Sequence, residues 1–428
     1  MDLEKRLADY VERRREGLVR LLRRLVRIPS ENTPPRGAEL RCQLYIARFL
    51  RRLGWDVTVY PLSEVAGLES HPLYWPGRDY TRRPNVGARL AGAGAGRSLL
   101  LSGHVDTVPR GSLPWVHAPF GAEIEGNRLY GRGANDMKAG LAMNLFVAQA
   151  LAALRIRLRG DLFIESVVDE EFGGVNGTLA GRLAGFNAEA AVITEPTALR
   201  VCPAQRGGRT AHIRLRAPGG ILREEGGPAG VIEALRCLLI RAEEFARRRR
   251  QAAAVHEYYR HTADPVPVAV TKIAAGGWGS REPIGPPEQC DLEMYWQAMP
   301  GETRAQVDAQ FFHWLEETVR AEPELFPQAP QVTFPIRWLP GSALPASEPL
   351  VREMAEAAQR ALGRAPDITG IEGPCDMYVF HQGFATPALL WGPRGGNTHA
   401  TDEYVELDSL FDAAKALLLF VCRWCGVA

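Results

Sequence analysis

The chain has 428 residues, 46% hydrophobic and 24% charged, with 51 Lys+Arg against 50 Asp+Glu for a formal net charge of +1. That length exceeds one ordinary core and predicts two domains, and the near-neutral charge excludes a global field favouring nucleic acid or an anionic membrane. Seven cysteines at irregular spacing suggest no disulfide framework. No apolar run reaches the ~18–20 residues of a membrane span, and the charged stretch up to Arg27 lacks a secretory apolar core; the expectation is a cytoplasmic chain.

Taken in order, residues 3–26 carry apolar side chains at helical spacing (Leu7, Val11, Leu18, Leu21, Leu22, Leu25) and predict one helix. A second amphipathic helix is predicted over 38–53, stopped by Gly54, then a strand over 55–60. A long polar and aromatic insertion, 61–84, precedes a strand over 85–90. Leu99-Leu100-Leu101 then reads as a buried strand that breaks at Gly103 into His104-x-Asp106. In an extended segment His104 and Asp106 project to one side, which suits a metal ligand and a carboxylate that fixes its ring tautomer.

A short strand over 124–130 leads into Gly131-Arg-Gly-Ala-Asn-Asp136-Met-Lys138, and a helix over 139–154 places Asp136 just ahead of its N-terminus. Residues 161–168 form a buried strand ending in Asp169-Glu170-Glu171, 177–183 a helix, and 190–193 a strand ending in Thr194-Glu195-Pro196. Alternating strands and helices with polar residues at strand C-terminal ends predict an open α/β sheet with helices on both faces and its site at one edge.

Between 206 and 338 the order becomes β-α-β-β-α-β, that of a ferredoxin-like α+β unit, and predicts a second, inserted domain. The first domain accordingly falls into two parts, 1–205 and 339–428. The latter holds a helix from Leu350, a Gly-rich loop over 370–374, a strand over 387–391, a Gly-rich loop carrying His399, and a helix over 407–421. Cys422-x-x-Cys425 lacks a second ligand pair and reads as core packing; the runs Arg13-Arg14-Arg15 and Arg247 to Arg250 read as solvated helix faces.

Ligand-type residues thus gather at four strand ends (His104, Glu170/Glu171, Glu195, His399), with Asp136 as a fifth position. Two histidines with several carboxylates suit Zn²⁺ or a similar divalent ion, or a pair of ions if one carboxylate bridges. Of the adjacent Glu170 and Glu171, one on a metal would leave the other as general base.

The motifs Gly103-His-Val-Asp-Thr-Val-Pro109, Gly131-Arg-Gly-Ala-Asn-Asp136-Met-Lys, Asp169-Glu-Glu171, Thr194-Glu-Pro196 and His399 resemble, in order, those of the aminoacylase-type dinuclear zinc amidohydrolases. That family includes acetylornithine deacetylase, succinyl-diaminopimelate desuccinylase and glutamate carboxypeptidase, and the resemblance covers nearly the whole chain. It implies one metal (Zn, with Co or Mn as alternatives) on His104 and Glu195, another on Glu171 and His399, and Asp136 between them. Glu170 would be general base and acid, Asp106 would support His104, and the inserted domain would be the lid that makes a homodimer. The implied activity is hydrolysis of an amide in a small N-acyl amine or N-acyl amino acid. A family branch deformylating an aminomethylpyrimidine in thiamin salvage is the alternative; a catalytically inactive binding protein of the same fold is another.

Two departures bear on substrate. The segment 217–228 lacks the family's lid histidine, and Gln297 stands where an arginine usually precedes the lid's Pro300-Gly301. Either the substrate has no α-carboxylate, or Arg206, Arg209 or Arg281 grips it.

Overall fold

The computed structural model describes residues 3–218, 230–277 and 285–428, so Arg281 and most of the segment 217–228 lie outside the described residues. The chain is a mixed α/β protein of two compact units: one comprises Met1–Ala204, Ala343–Ile371 and Cys375–Ala428, the other Gln205–Ser342 with Glu372–Pro374.

The first unit is built on a mixed sheet of nine strands. At its centre Leu99–His104 runs parallel to Leu162–Val167 on one side and to Ala191–Ile193 on the other; Ala388–Leu390 extends the parallel run. Pro84–Leu90 and Asp56–Pro61 continue it antiparallel. Every residue of Leu99–His104 is buried, as a strand covered on both faces requires. The helix Lys138–Ala153 is buried almost all round, which matches its lack of a polar face. It approaches the sheet at Gly140, where a Cβ would stand 1.9 Å from the Thr194 carbonyl oxygen. No larger residue fits there without moving the helix or the strand end that carries Glu195.

Three local expectations are corrected. The helix over 3–26 is two helices, Leu3–Arg13 and Arg15–Val26, broken at Arg14 with φ −116°. Each half still buries its own apolar stripe, so periodicity cannot reveal the break. The strand over 124–130 is a hairpin, Glu123–Glu125 against Arg128–Tyr130, turned by Gly126 at φ +56°. The loop expected from Gly370 begins instead in a strand, Ile368–Ile371.

In the second unit a four-stranded antiparallel sheet has the order Val268–Ala275, Gln289–Ala298, Gly207–Arg216, Gln331–Thr333. Helices Val231–Ala252 and Arg304–Ala321 join its core through Phe245, Phe311 and Trp314, which pack on Trp296 and each other. Thr303 and Gln306 form a capping box at the start of Arg304–Ala321. Within the run 247–250, Arg249 is 1% exposed rather than solvated. It follows Phe245 by one helical turn and so faces inward, where it donates to Glu302 and to the Gln297 carbonyl.

All seven cysteines are free thiols, and Cys422 and Cys425 are buried on the helix Leu407–Cys425. No helix among the described residues is long and apolar enough to cross a membrane.

Candidate metal centre

Parallel strands that end together deliver their next residues to one edge of the sheet, and there the first unit concentrates its charge. His104 closes the strand Leu99–His104 and is 2% exposed. Its Nε2 lies 3.0 Å from Asp136 Oδ1, 3.6 Å from Glu195 Oε1 and 4.0 Å from Glu170 Oε2. His399 comes from the turn between the strands Gly395–Gly396 and Tyr404–Glu406, at φ +64°. Its Nε2 lies 2.8 Å from Glu171 Oε2 and 3.2 Å from Asp136 Oδ2. The two oxygens of Asp136 therefore face one histidine each, and ligand atoms of His104, Asp136 and Glu171 fall within 4.8 Å of one another. All six residues marked in the sequence as ligands or base meet in this cluster.

The supporting contacts are also specific. Asp106 is wholly buried; its carbonyl stands 2.9 Å from His104 Nδ1, its carboxylate 3.6 Å. That carboxylate accepts the backbone N–H of Glu170 (3.1 Å) and Glu171 (3.2 Å) and the Asn32 amide (2.9 Å). Asp106 thus steadies the turn that presents both glutamates as well as the ring of His104. Asp169, at φ +65°, makes that turn. Glu403 plays the equivalent part for Asp136. Buried and paired with Arg132 at 2.7 Å, it accepts the backbone N–H groups of Gly133, Asn135 and Asp136 at 2.9–3.0 Å.

Sequence reasoning missed Glu403, and also Asp376, which is 6% exposed and accepts from Thr178 Oγ1 at 2.5 Å. Asp376 lies within electrostatic reach of Glu170 and Glu195. It missed as well the role of the insertion, which drapes over the glutamate turn. Tyr80 donates to Asp169 at 2.6 Å, Arg78 Nε sits 3.3 Å from Asp169 Oδ1, and the Trp75 N–H donates to Asn176 at 2.9 Å. Only the aromatic density of that insertion hinted at a packed role.

The electrostatics are those of a cluster short of positive charge. Burial pushes Glu195 up to about 8, with the charge of Asp136 adding to it against His104. Burial and Asp136 likewise push Glu171 up to about 7, and burial pushes Asp376 up to about 7. Burial alone would favour neutral histidines, but the carboxylates outweigh it, raising His104 well above its usual value and His399 to about 11. Asp136, with burial opposing but both imidazoles beside it, is held well below the usual carboxylate range. Four carboxylates and two imidazoles with hard and borderline donors facing inward fit divalent cations, which would replace the protons held here.

A pH dependence follows for the metal-free chain. The unfolded chain releases these protons near 4.5 (carboxyl) and 6.5 (imidazole), whereas the folded cluster keeps them toward 7, 8 and 11. Stability is full below the unfolded values and falls as pH rises through the folded ones, at about 1.4 kcal/mol per pH unit for each extra proton. Asp136 works in the opposite sense, but only in acid, below the window considered. Chelator-treated protein should lose roughly 5 °C of Tm between pH 6 and pH 8, and added zinc should restore more at pH 8. A flat or rising Tm in differential scanning fluorimetry would contradict this.

Residues 100–423 match the model of peptidase family M20/M25/M40. The chain belongs to that family, and with it to the metal-dependent amide hydrolases. It is 27% identical to N-formyl-4-amino-5-aminomethyl-2-methylpyrimidine deformylase of Halalkalibacterium halodurans, over 98% of this chain and 97% of that one. It is 26% identical to acetylornithine deacetylase of Klebsiella pneumoniae, over 89% of this chain and 90% of that one. Its fold is that of the Saccharomyces cerevisiae di-peptidase Dug1p, with a TM-score of 0.80 at 14% identity, covering 99% and 98% of the two chains.

Proposed function

We propose that this enzyme removes a formyl or similarly small acyl group from an amine that carries no α-carboxylate, using two divalent ions, zinc foremost. His104 and Glu195 would hold one ion, His399 and Glu171 the other, with Asp136 between them. The ions supply Lewis-acid polarisation of the amide carbonyl and a lowered pKa for water. The chain supplies the proton transfer. Glu170 accepts no hydrogen bond on its carboxylate from the described residues, and burial, with His104 opposing and three neighbouring acids adding to it, pushes it well up. It is the carboxylate left to take a proton from the attacking water and return it to the leaving amine. Formate and the free amine are the products.

Asp376 carries the substrate reading. A buried carboxyl within reach of the base favours a donor or cationic group on the substrate and repels a carboxylate. Of the three arginines that were candidates for gripping a carboxylate, Arg281 lies outside the described residues, and Arg209 is committed elsewhere. Arg209 is spent on Asp308, with Nε and Nη2 each at 2.8 Å, and Arg206 donates to Gln297 Oε1 at 2.6 Å. The 98% coverage of the deformylase relative points the same way. The second reading is an acetylornithine deacetylase-like enzyme, whose relative matches less of the chain.

A panel of N-formyl, N-acetyl and N-succinyl amines, each with and without an α-carboxylate, separates the two. The expected result is a kcat/KM at least about tenfold higher without the carboxylate, one favourable contact in free-energy terms. Preference for N-acetylornithine or other N-acyl amino acids would overturn the substrate reading and leave the hydrolytic one standing.

We also propose a cytoplasmic homodimer formed through the second unit, whose edge strand Val268–Ala275 pairs on one side only among the described residues and leaves Ile273 49% exposed. A monomer mass at micromolar concentration in sedimentation velocity would remove the dimer.

A further inference from the structure

On the first unit a cavity of about 170 Å³ opens between the end of the helix Arg15–Val26 and the helix Leu40–Arg52. Arg24 and Arg27 line one side; Arg41 and Arg48, seven residues and two helical turns apart, line the other. Tyr45 and Ile28 form its apolar surface.

None of these four arginines makes an ion pair with a carboxylate among the described residues, whereas Arg15 and Arg20, on the same helix as Arg24, pair with Glu12 and Glu16. Among the described residues two of them spend only Nε: Arg27 on the Gly121 carbonyl at 3.0 Å, Arg48 on the Leu44 carbonyl at 3.1 Å. Their terminal nitrogens remain for a ligand. The guanidinium of Arg24 lies 5.8 Å from the centre of the Tyr45 ring.

All four are exposed, so water and salt soften their mutual repulsion, but they line one small concavity together. A chain of formal net charge +1 has acidic residues enough to neutralise them, yet none lines this cavity among the described residues. Planar guanidinium forks are suited to phosphate oxygens, and a tyrosine ring beside them suits a flat or apolar group attached to the phosphate.

We propose that this cavity binds a small phosphorylated molecule, a phosphomonoester with an apolar or aromatic body, at a site separate from the metal centre. The phosphate engages Arg24, Arg27, Arg41 and Arg48, and the body lies on Tyr45 and Ile28.

The test is calorimetric titration of the metal-loaded full chain with phenyl phosphate, and separately with inorganic phosphate, at constant ionic strength set with chloride. The same titrations are run on the Arg41→Gln/Arg48→Gln variant. Saturable binding to the wild type, weakened tenfold or more in the variant, supports the site, as does tighter binding of phenyl phosphate than of inorganic phosphate that Tyr45→Ala abolishes. Neither variant should change kcat for amide hydrolysis. Equal affinity in wild type and double variant places the binding at the metals and overturns the proposal. So does the absence of saturation with either phosphate.

Discussion

Glu170→Gln should retain its metal and its Tm while kcat falls by about 10³–10⁴-fold, near the upper range for loss of one positioned acid–base group. Glutamine keeps the size of the side chain and removes only its capacity to take a proton. Glu171 cannot substitute, because its Oε2 already lies 2.8 Å from His399 and its Oε1 accepts the Val108 N–H at 3.1 Å. Asp376 is also a poor substitute, since one of its oxygens already accepts from Thr178 Oγ1 at 2.5 Å. The folded protein should if anything gain stability, since Glu170 is a buried carboxyl surrounded by Asp376, Glu195 and Glu171. Metal content by mass spectrometry, Tm and single-turnover rates together decide it. Metal lost along with activity would make Glu170 a ligand, and activity retained would remove it as the base.

What the sequence made legible at this site follows from how parallel sheets are built. His104, Glu170, Glu171 and Glu195 each stand at or just beyond the last residue of an apolar strand, and such strands end on one edge. Asp136 and His399 sit in glycine-rich turns whose composition marks a close approach. Asp376 and Glu403 were not legible because they stand in loops without period, where an acid reads as solvated even with apolar residues following it. Only the folded chain shows that Glu403 accepts three backbone N–H groups and that Asp376 is covered. The break at Arg14 was hidden for a different reason. No glycine or proline marks it, and both helical halves keep the 3.6-residue stripe (Leu7 and Val11; Leu18, Leu22 and Leu25). Arg249 escaped because charge in a run is read as exposure, whereas its place one turn after Phe245 decided its burial.

Arg83→Met should destabilise the fold by about 3–5 kcal/mol, the usual consequence of removing one partner from a buried ion pair. Arg83 is 1% exposed, and its Nη2 lies 2.6 Å from Glu39 Oε1 and 3.6 Å from Asp169 Oδ1. Gly37 leaves the room this requires, since a Cβ there would stand 2.4 Å from the Glu39 carboxylate. Even with Arg83 present, burial pushes Glu39 up to about 7, the guanidinium offsetting only part of that. Without it Glu39 would fold protonated, and the cost of holding that proton rises with pH, so the loss should be greater at pH 8 than at pH 6. Glu39→Gln added to Arg83→Met should recover part of the loss, because the amide carries no charge to bury. The damage should also reach the metal centre. Asn32 donates to Asp106 at 2.9 Å and to Asp169 at 3.2 Å, so Asp169 and the clamp on the Glu170–Glu171 turn share one network. Urea unfolding of the single and double variants at both pH values, with kcat measured alongside, tests each part. A loss below about 1 kcal/mol, or one independent of pH, would mean that Arg78 and Tyr80 hold Asp169 unaided.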